Sequence, residues 1–337
     1  MSADRVGVAV VGAGLMGRRH AENAARRIAG ARFVAVFDAD QRVASRVAAD
    51  LDARACASLD ALLERDDVRV VVIASPARFH AEQAIAALAR GKDVLLEKPM
   101  AHSLEDCDRV IAAAEGGRSR LQLGFMRRYD PAYVEAKRLI VSGALGEPLF
   151  FRAVHRDREA TYLPAANGVT DMMFESTIHD FDLSRFLLAD AIAAVTTTAA
   201  VLCHGRDEHG HAPNAAVNAL RFARGALADI ETYWGAQYAY DVRTEIVCAG
   251  GTALVGHQQR TRLDVYTPDG ARHDLFPGFL ERFADAYLAE LADFTDGVTD
   301  RRPPAVTGND GRAAVAATLA GIESYRSGRA AKVAVPT

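Results

Sequence analysis

Two short stretches carry side chains able to hold or move a proton. In VLLEKPMAHS, at 94–103, Lys98 follows a run of strand-forming residues and precedes Pro99. An ammonium there could polarise a hydroxyl oxygen, or it could be an ordinary solvated charge. Pro99 restricts the backbone, and an X-Pro bond is where a cis peptide costs least. In FESTIHDFD, at 174–182, Glu175 and His179 stand four apart, and His179 and Asp182 three apart. Those spacings share one face of a helix. A histidine oriented by carboxylates suits general acid/base work, because its tautomer is fixed and it titrates near neutrality. The competing reading is a capping acid beside a histidine in a polar helix network.

A third stretch could hold a pyrophosphate. GAGLMG places Gly12, Gly14 and Gly17 around Leu15 and Met16, after a strand-like run and at the opening of a helix. The first glycine allows a tight turn, the second lets backbone approach the phosphates, and the third packs helix on strand. Asp38 follows Gly17 by 21 residues and ends the next strand-like run. Its carboxylate can accept from both ribose hydroxyls and repels a 2′-phosphate, so NAD is expected over NADP. Arg42, one helical turn on, is read as a surface residue.

The elements that must position these groups follow two patterns. Up to about residue 125, apolar runs alternate with helical stretches, as βαβ units with strands buried on both faces do. Lys98 then falls at the C-terminal end of a strand, the edge where open parallel sheets bind ligands. Beyond it the pattern is a helix at 132–142, a strand at 149–155, a helix at 173–188 and then hairpins. Arg224-Gly225, Gly250-Gly251 and Pro268-Asp269-Gly270 are turn sequences, so an antiparallel sheet is expected. Helices at 279–296 and 310–325 follow. The fold class is α/β, with an N-terminal Rossmann dinucleotide-binding domain over 1–125. A C-terminal α+β domain over 126–337 carries a largely antiparallel open sheet, and the last helix is expected to pack back on the first domain.

Bulk properties narrow the partners. The 337 residues include 40 basic and 44 acidic side chains, a net charge of −4. Neither nucleic acid nor an anionic membrane is indicated as a partner. The apolar start lacks the basic region and cleavage pattern of a signal peptide, and a cytoplasmic protein is expected. Cys56, Cys107, Cys203 and Cys248 form no C-x-x-C pair, which disfavours a zinc or disulfide framework. His204, His209 and His211 lie in a Gly- and Pro-bearing stretch and read as a solvated loop, so no metal is expected.

Together, GAGLMG, FDAD at 37–40, VVIASPARFHAEQAIAALARGKDVLLEKPM at 71–100 and ESTIHDFD at 175–182 resemble the Gfo/Idh/MocA family of NAD(P)-dependent oxidoreductases. The resemblance covers essentially the whole chain. GFMRRYDPAY at 124–133, the His155-Arg156-Asp157 stretch, QYAYDVRTEIV at 237–247 and RFADAYLAEL at 282–291 look most like the inositol 2-dehydrogenase branch. The resemblance implies that Ser75, Pro76, Glu97 and Lys98 contact the cofactor. Lys98 also binds the reacting hydroxyl, and His179 is the general acid/base. Glu175 stands where the family usually has Asp, one methylene shorter. Misplacement on that scale affects rate. Arg127, His155, Asp157, Tyr240 and Tyr287 are implied as substrate contacts. Tyr238 and Tyr240 are not separated, because strand alternation puts both on one face.

Asp157 stands where inositol dehydrogenases carry Asn. An ionised Asp only accepts and adds a charge, which raises an amino-substituted cyclitol or a pyranose sugar as alternative substrates. The expected activity is oxidation of a secondary ring hydroxyl of a cyclitol to a ketone, with hydride passing to nicotinamide C4. The alternatives are an NAD-dependent glycosidase and a non-enzymatic NAD(P)-sensing regulator of the same fold. Members of the family commonly pack through the C-terminal sheet, so a homodimer or homotetramer is implied.

Overall fold

Strand β1 (Val6–Val11) runs up the middle of a six-stranded sheet, and its residues from Val8 to Val11 are wholly buried. Beside it lie β2 (Ala31–Phe37) and β3 (Arg54–Ala55) on one side. On the other are β4 (Val70–Ile73), β5 (Asp93–Glu97) and β6 (Leu121–Gly124). The order is β3-β2-β1-β4-β5-β6, and every pairing is parallel. This is the arrangement that uninterrupted apolar strands require, since helices must cover both faces. The protein is represented by a computed structural model that describes residues 5–158, 172–202, 213–256 and 259–334. His204, His209, His211 and Cys203 lie outside the described residues.

The crossover helices are α1 (Leu15–Arg26), α2 (Gln41–Asp50), α3 (Leu59–Leu63), α4 (His80–Ala89) and α5 (Leu104–Glu115). Asp40, Ser58 and Ser103 cap α2, α3 and α5, each side chain accepting from a backbone N–H of the first turn. Such caps satisfy donors that a helix start leaves unpaired.

The chain forms two compact units, 1–126 with 285–315, and 127–284 with 316–337. The first unit thus takes in a late segment, 285–315, as well as the N-terminal residues. Its physical basis is burial: Leu291, Phe294 and Val298 share one hydrophobic cluster with Val8, Val10 and Phe33.

The second unit opens with α6 (Pro131–Val141), capped by Asp130 with Pro131 in its first turn. Its sheet contains β7 (Pro148–Arg158), β8 (Ile192–Ala200), β9 (Ala215–Phe222), β10 (Leu227–Ala236), β11 (Asp241–Cys248), β12 (Gly251–Val255) and β15 (Ala331–Lys332). The order is β12-β11-β7-β10-β9-β8-β15, antiparallel except for the β7–β10 pair. Gly225, at φ +101°, turns β9 into β10. A separate hairpin joins β13 (Gln259–Thr267) to β14 (Gly270–Leu275). The helix α7 (Ile178–Leu188) packs on β7 and is preceded by one π-helical turn, Met173–Thr177. That turn carries an extra residue per loop and changes which side chains align across it.

After a short helical turn, α8 (Phe279–Arg282), come α9 (Ala284–Asp300) and α10 (Gly308–Ser327). No helix among the described residues is long and apolar enough to cross a membrane.

Candidate active site

The first unit builds a cradle around the glycine loop. Gly12 has φ +88°, and a Cβ there would sit 2.5 Å from Ser75 N. A Cβ on Gly17 would meet the Gly12 carbonyl oxygen at 1.7 Å, so helix α1 can sit this close to the loop only through glycine. Gly14 caps α1 and faces open space, with nothing within 4 Å of an added Cβ. Open space over a helix N-terminus ringed by backbone N–H groups fits a pyrophosphate. Leu15 beside it is exposed, and Met16 is half-buried.

Asp38 stands next to this loop and braces it. One carboxylate oxygen accepts from Ala13 N at 2.7 Å, the other from Asp40 N at 2.8 Å. A carboxylate has about four acceptor sites, so acceptor capacity remains for ribose hydroxyls. Arg42, the residue that could have drawn a 2′-phosphate, is held by Asp40 through its Nε at 3.1 Å and Nη2 at 2.9 Å. The residues present therefore fit NAD.

Two strands along the same edge, β5 delivers Lys98, half-buried, with a cis peptide to Pro99. His80, at the start of α4, carries no sequence-level signal of its own. Its two ring nitrogens lie 2.7 Å from the Pro99 carbonyl oxygen and 2.8 Å from that of Ser75. One buried ring thus ties the loop after β4, with Ser75 and Pro76, to the loop after β5. Burial lowers its pKa, against the pull of both carbonyls. The Ser75 hydroxyl donates to Gln83 at 2.6 Å. Glu97 turns inward rather than toward the loop edge: it is buried, 2.8 Å from His20 Nε2. Tyr287 belongs to this unit as well, buried edge-on against the His20 ring at 6.0 Å.

The second unit assembles a different cluster on the inner face of its sheet. Along β7, Phe151, Ala153, His155 and Asp157 alternate inward, so one strand face passes from apolar to polar. Across the pairing, His155 lies beside Thr232 and Val242, and Asp157 beside Trp234. His155 Nδ1 is 3.0 Å from Asp180 Oδ2, and Nε2 is 3.2 Å from Asp157 Oδ2. Arg127, wholly buried, donates to Asp180 Oδ1 at 2.6 Å and lies 3.0 Å from His155 Nδ1.

Burial and the Arg127 charge press the His155 pKa down, but the two carboxylates outweigh them and raise it. Both aspartates lie within hydrogen-bond reach of the ring nitrogens. Burial opposes ionisation of Asp180 too, and the Arg127 and His155 charges overcome it, lowering its pKa. Ser176 donates to Asp157 at 3.3 Å and accepts from the Trp234 indole at 2.8 Å. Asp180 and Ser176 carried no sequence-level signal beyond lying near His179.

His179 is buried in the first turn of α7, whereas Glu175 is exposed within the π turn. Asp182 accepts a fork from Arg128, at 2.9 Å and 2.5 Å. Tyr238 and Tyr240 separate: Tyr238 is 54% exposed and Tyr240 7%. Same-face reasoning fails here because both lie in the connection between β10 and β11, not in a strand. Tyr240 packs edge-on against His155 and against Phe283, with its hydroxyl 3.5 Å from His155 Nε2.

Comparison with known proteins agrees with this architecture. Residues 6–125 match the model of the oxidoreductase family with an NAD-binding Rossmann fold, and residues 133–254 match the GFO/IDH/MocA C-terminal domain. Inositol 2-dehydrogenase 4 of Saccharopolyspora erythraea is 38% identical over 336 residues, spanning 97% of this chain and 96% of its own. The scyllo-inositol 2-dehydrogenase (NAD(+)) of Bacillus subtilis is 30% identical over 325 residues, spanning 96% and 95%. The crystal structure of Lactobacillus casei myo-inositol dehydrogenase in complex with NAD(H) and myo-inositol superposes with a TM-score of 0.90. It is 25% identical and covers 99% of this chain and 98% of that one. A glycine cradle that fits NAD, a lysine at the same sheet edge and matches across both units make this chain a member of the Gfo/Idh/MocA oxidoreductase family.

Proposed function

We propose that the protein oxidises a secondary ring hydroxyl of a neutral, inositol-like cyclitol to the ketone, with NAD as the oxidant. One observation carries the reading: Lys98 leaves β5 on the edge where β1 delivers the glycine loop, with only β4 between. Neighbouring strands lie about 4.8 Å apart, so a group at the end of β5 stands roughly 10 Å from the loop. Bound there, NAD supplies at nicotinamide C4 the acceptor for the hydride leaving the ring carbon. The Lys98 ammonium donates to the reacting hydroxyl oxygen and stabilises the negative charge that develops on it. His179 takes the hydroxyl proton. Glu175, solvent-facing one turn earlier, favours the positive charge that His179 then carries.

The preference for a neutral ring follows from charge in the second unit. Arg127 is paired with Asp180, and His155 lies between Asp180 and Asp157, so the carboxylates of the cluster are already engaged. Asp157 is already engaged by His155 and Ser176, so among the described residues of this cluster an ammonium on the substrate meets no unengaged carboxylate. The similarity to inositol 2-dehydrogenase 4 of Saccharopolyspora erythraea and the scyllo-inositol 2-dehydrogenase of Bacillus subtilis supports the same class.

We infer further that the protein assembles through the outer face of its seven-stranded sheet. That face holds a cavity of about 470 Å³ lined by residues including Arg156, Val217, Glu231, Tyr233 and Tyr238, with Val217 and Tyr238 exposed. Light scattering on the purified protein distinguishes monomer from dimer or tetramer.

The activity is tested with a panel of inositols, aminocyclitols and pyranoses scored for NAD reduction at alkaline pH, with NADP and a nitrophenyl glycoside run alongside. NADH from neutral inositols is expected. Cleavage of the glycoside, or reduction with aminocyclitols alone, would contradict the reading.

A further inference from the structure

The first unit holds a second buried polar cluster that cofactor binding does not explain. His20 on α1, Glu97 at the end of β5 and Glu290 on α9 each bring a side-chain donor or acceptor atom within 4.8 Å of the others, and all three are buried. His20 Nε2 and Glu97 Oε1 are 2.8 Å apart, and the other Glu97 oxygen accepts from the Lys98 backbone N–H at 3.3 Å. Glu290 is wholly excluded from solvent, and neither of its carboxylate oxygens has a hydrogen-bond partner among the described residues. Facing it are Glu97 from β5 and His20 from α1, with Tyr287 of α9 against the His20 ring. Gln122 of β6 donates to the Glu290 backbone carbonyl at 3.5 Å rather than to its carboxylate, and accepts from Ala305 N at 3.3 Å.

Two ionised carboxylates at this separation, away from water, repel strongly and lack the solvation that would offset the repulsion. A proton removes one charge and turns an orphaned acceptor into a donor. A divalent cation would demand both carboxylates ionised, whereas the His20–Glu97 contact already has hydrogen-bond length. Burial and the Glu97 charge both push the Glu290 carboxyl well above the usual carboxylate range.

We propose that Glu290 holds a proton at neutral pH, shared with Glu97, and that this pair, braced by His20, positions the backbone bearing Lys98. One negative charge then remains behind Lys98, and Glu97 keeps one oxygen for His20 and the other for the Lys98 N–H. Glu290 is a positioning residue, acting through Glu97. The consequence for catalysis rests on the reading of Lys98 above, while the shared proton does not.

Infrared spectroscopy of the full chain tests the proton directly. The wild type is expected to show the carbonyl stretch of a protonated carboxylic acid at neutral pH, and Glu290→Gln to lose it. Stability gives a second readout. With its folded pKa raised, Glu290 stays protonated in the native state while the unfolded chain releases the proton above about pH 4.3. Wild-type Tm therefore falls relative to Glu290→Gln as pH rises from about 5 to 8. In the wild type KM for NAD also rises at alkaline pH, as Glu290 ionises and repels Glu97, and Glu290→Gln lacks that rise. No such band in the wild type, parallel Tm curves, or a stoichiometric divalent ion that Glu290→Gln loses would overturn the proposal. The band without NADH production would support the shared proton and contradict only the dehydrogenase reading.

Discussion

His155 Nε2 lies 3.2 Å from Asp157 Oδ2, two residues along the same face of β7. The contact gives the departure at position 157 a role inside the protein, as a carboxylate that favours the protonated form of a buried histidine, before any substrate is considered.

Asp157→Asn tests that role. Removing the charge leaves Asp180 alone to hold the His155 proton against burial and Arg127, so His155 titrates at lower pH in the variant. The raised pKa means that the wild type's gain is complete below the unfolded histidine value and is lost as pH rises through the folded one. Asp157→Asn should therefore lose stability relative to wild type mainly on the acid side. Histidine NMR and Tm as functions of pH measure the two effects, and an unmoved His155 titration would contradict the pairing.

Asp180→Ala should be far more damaging. It strips Arg127 of its 2.6 Å partner while leaving that guanidinium buried. Breaking such a pair from one side costs about 3–5 kcal/mol. Urea unfolding reads the loss, and a change below about 1 kcal/mol, typical of exposed pairs, would contradict the burial argument.

Cofactor choice should follow Asp38. Asp38→Asn removes a charged acceptor, and hydrogen bonds to charged groups contribute about 1.5–3 kcal/mol. KM for NAD should rise about tenfold or more, and discrimination against NADP should narrow. Because Asp40 occupies Arg42, the double variant Asp38→Asn, Asp40→Ala should accept NADP better than Asp38→Asn does. Steady-state kinetics with both cofactors decide the matter.

Lys98→Ala and His179→Ala should each lower kcat by about 10²-fold or more, the scale of a lost general acid/base or electrostatic group. Folding should be retained, as circular dichroism would show. Full turnover in either variant would remove that residue from the chemistry.

The first unit was largely legible in the sequence, because strands covered on both faces need unbroken apolar runs and a glycine loop leaves a local signature. Long-range partners were not. The return of 285–315 to the first unit depends on which hydrophobic surface Leu291 and Phe294 find, and periodicity cannot name a partner. The π turn at Met173–Thr177 left no mark in the helical pattern of the sequence. Tyr238 and Tyr240 were inseparable until the connection between β10 and β11 showed that neither obeys strand alternation. Asp180 and Glu290 looked like ordinary helix acids, and only burial beside Arg127 and Glu97 distinguishes them.

Hydride transfer itself can be followed most directly with an inositol deuterated at its ring carbons, incubated with the purified protein and NAD. Mass spectrometry of the cofactor should find one deuterium on the nicotinamide of the NADH formed, in step with ketone produced. Unlabelled NADH, or no reduced cofactor with any neutral inositol, would contradict the account.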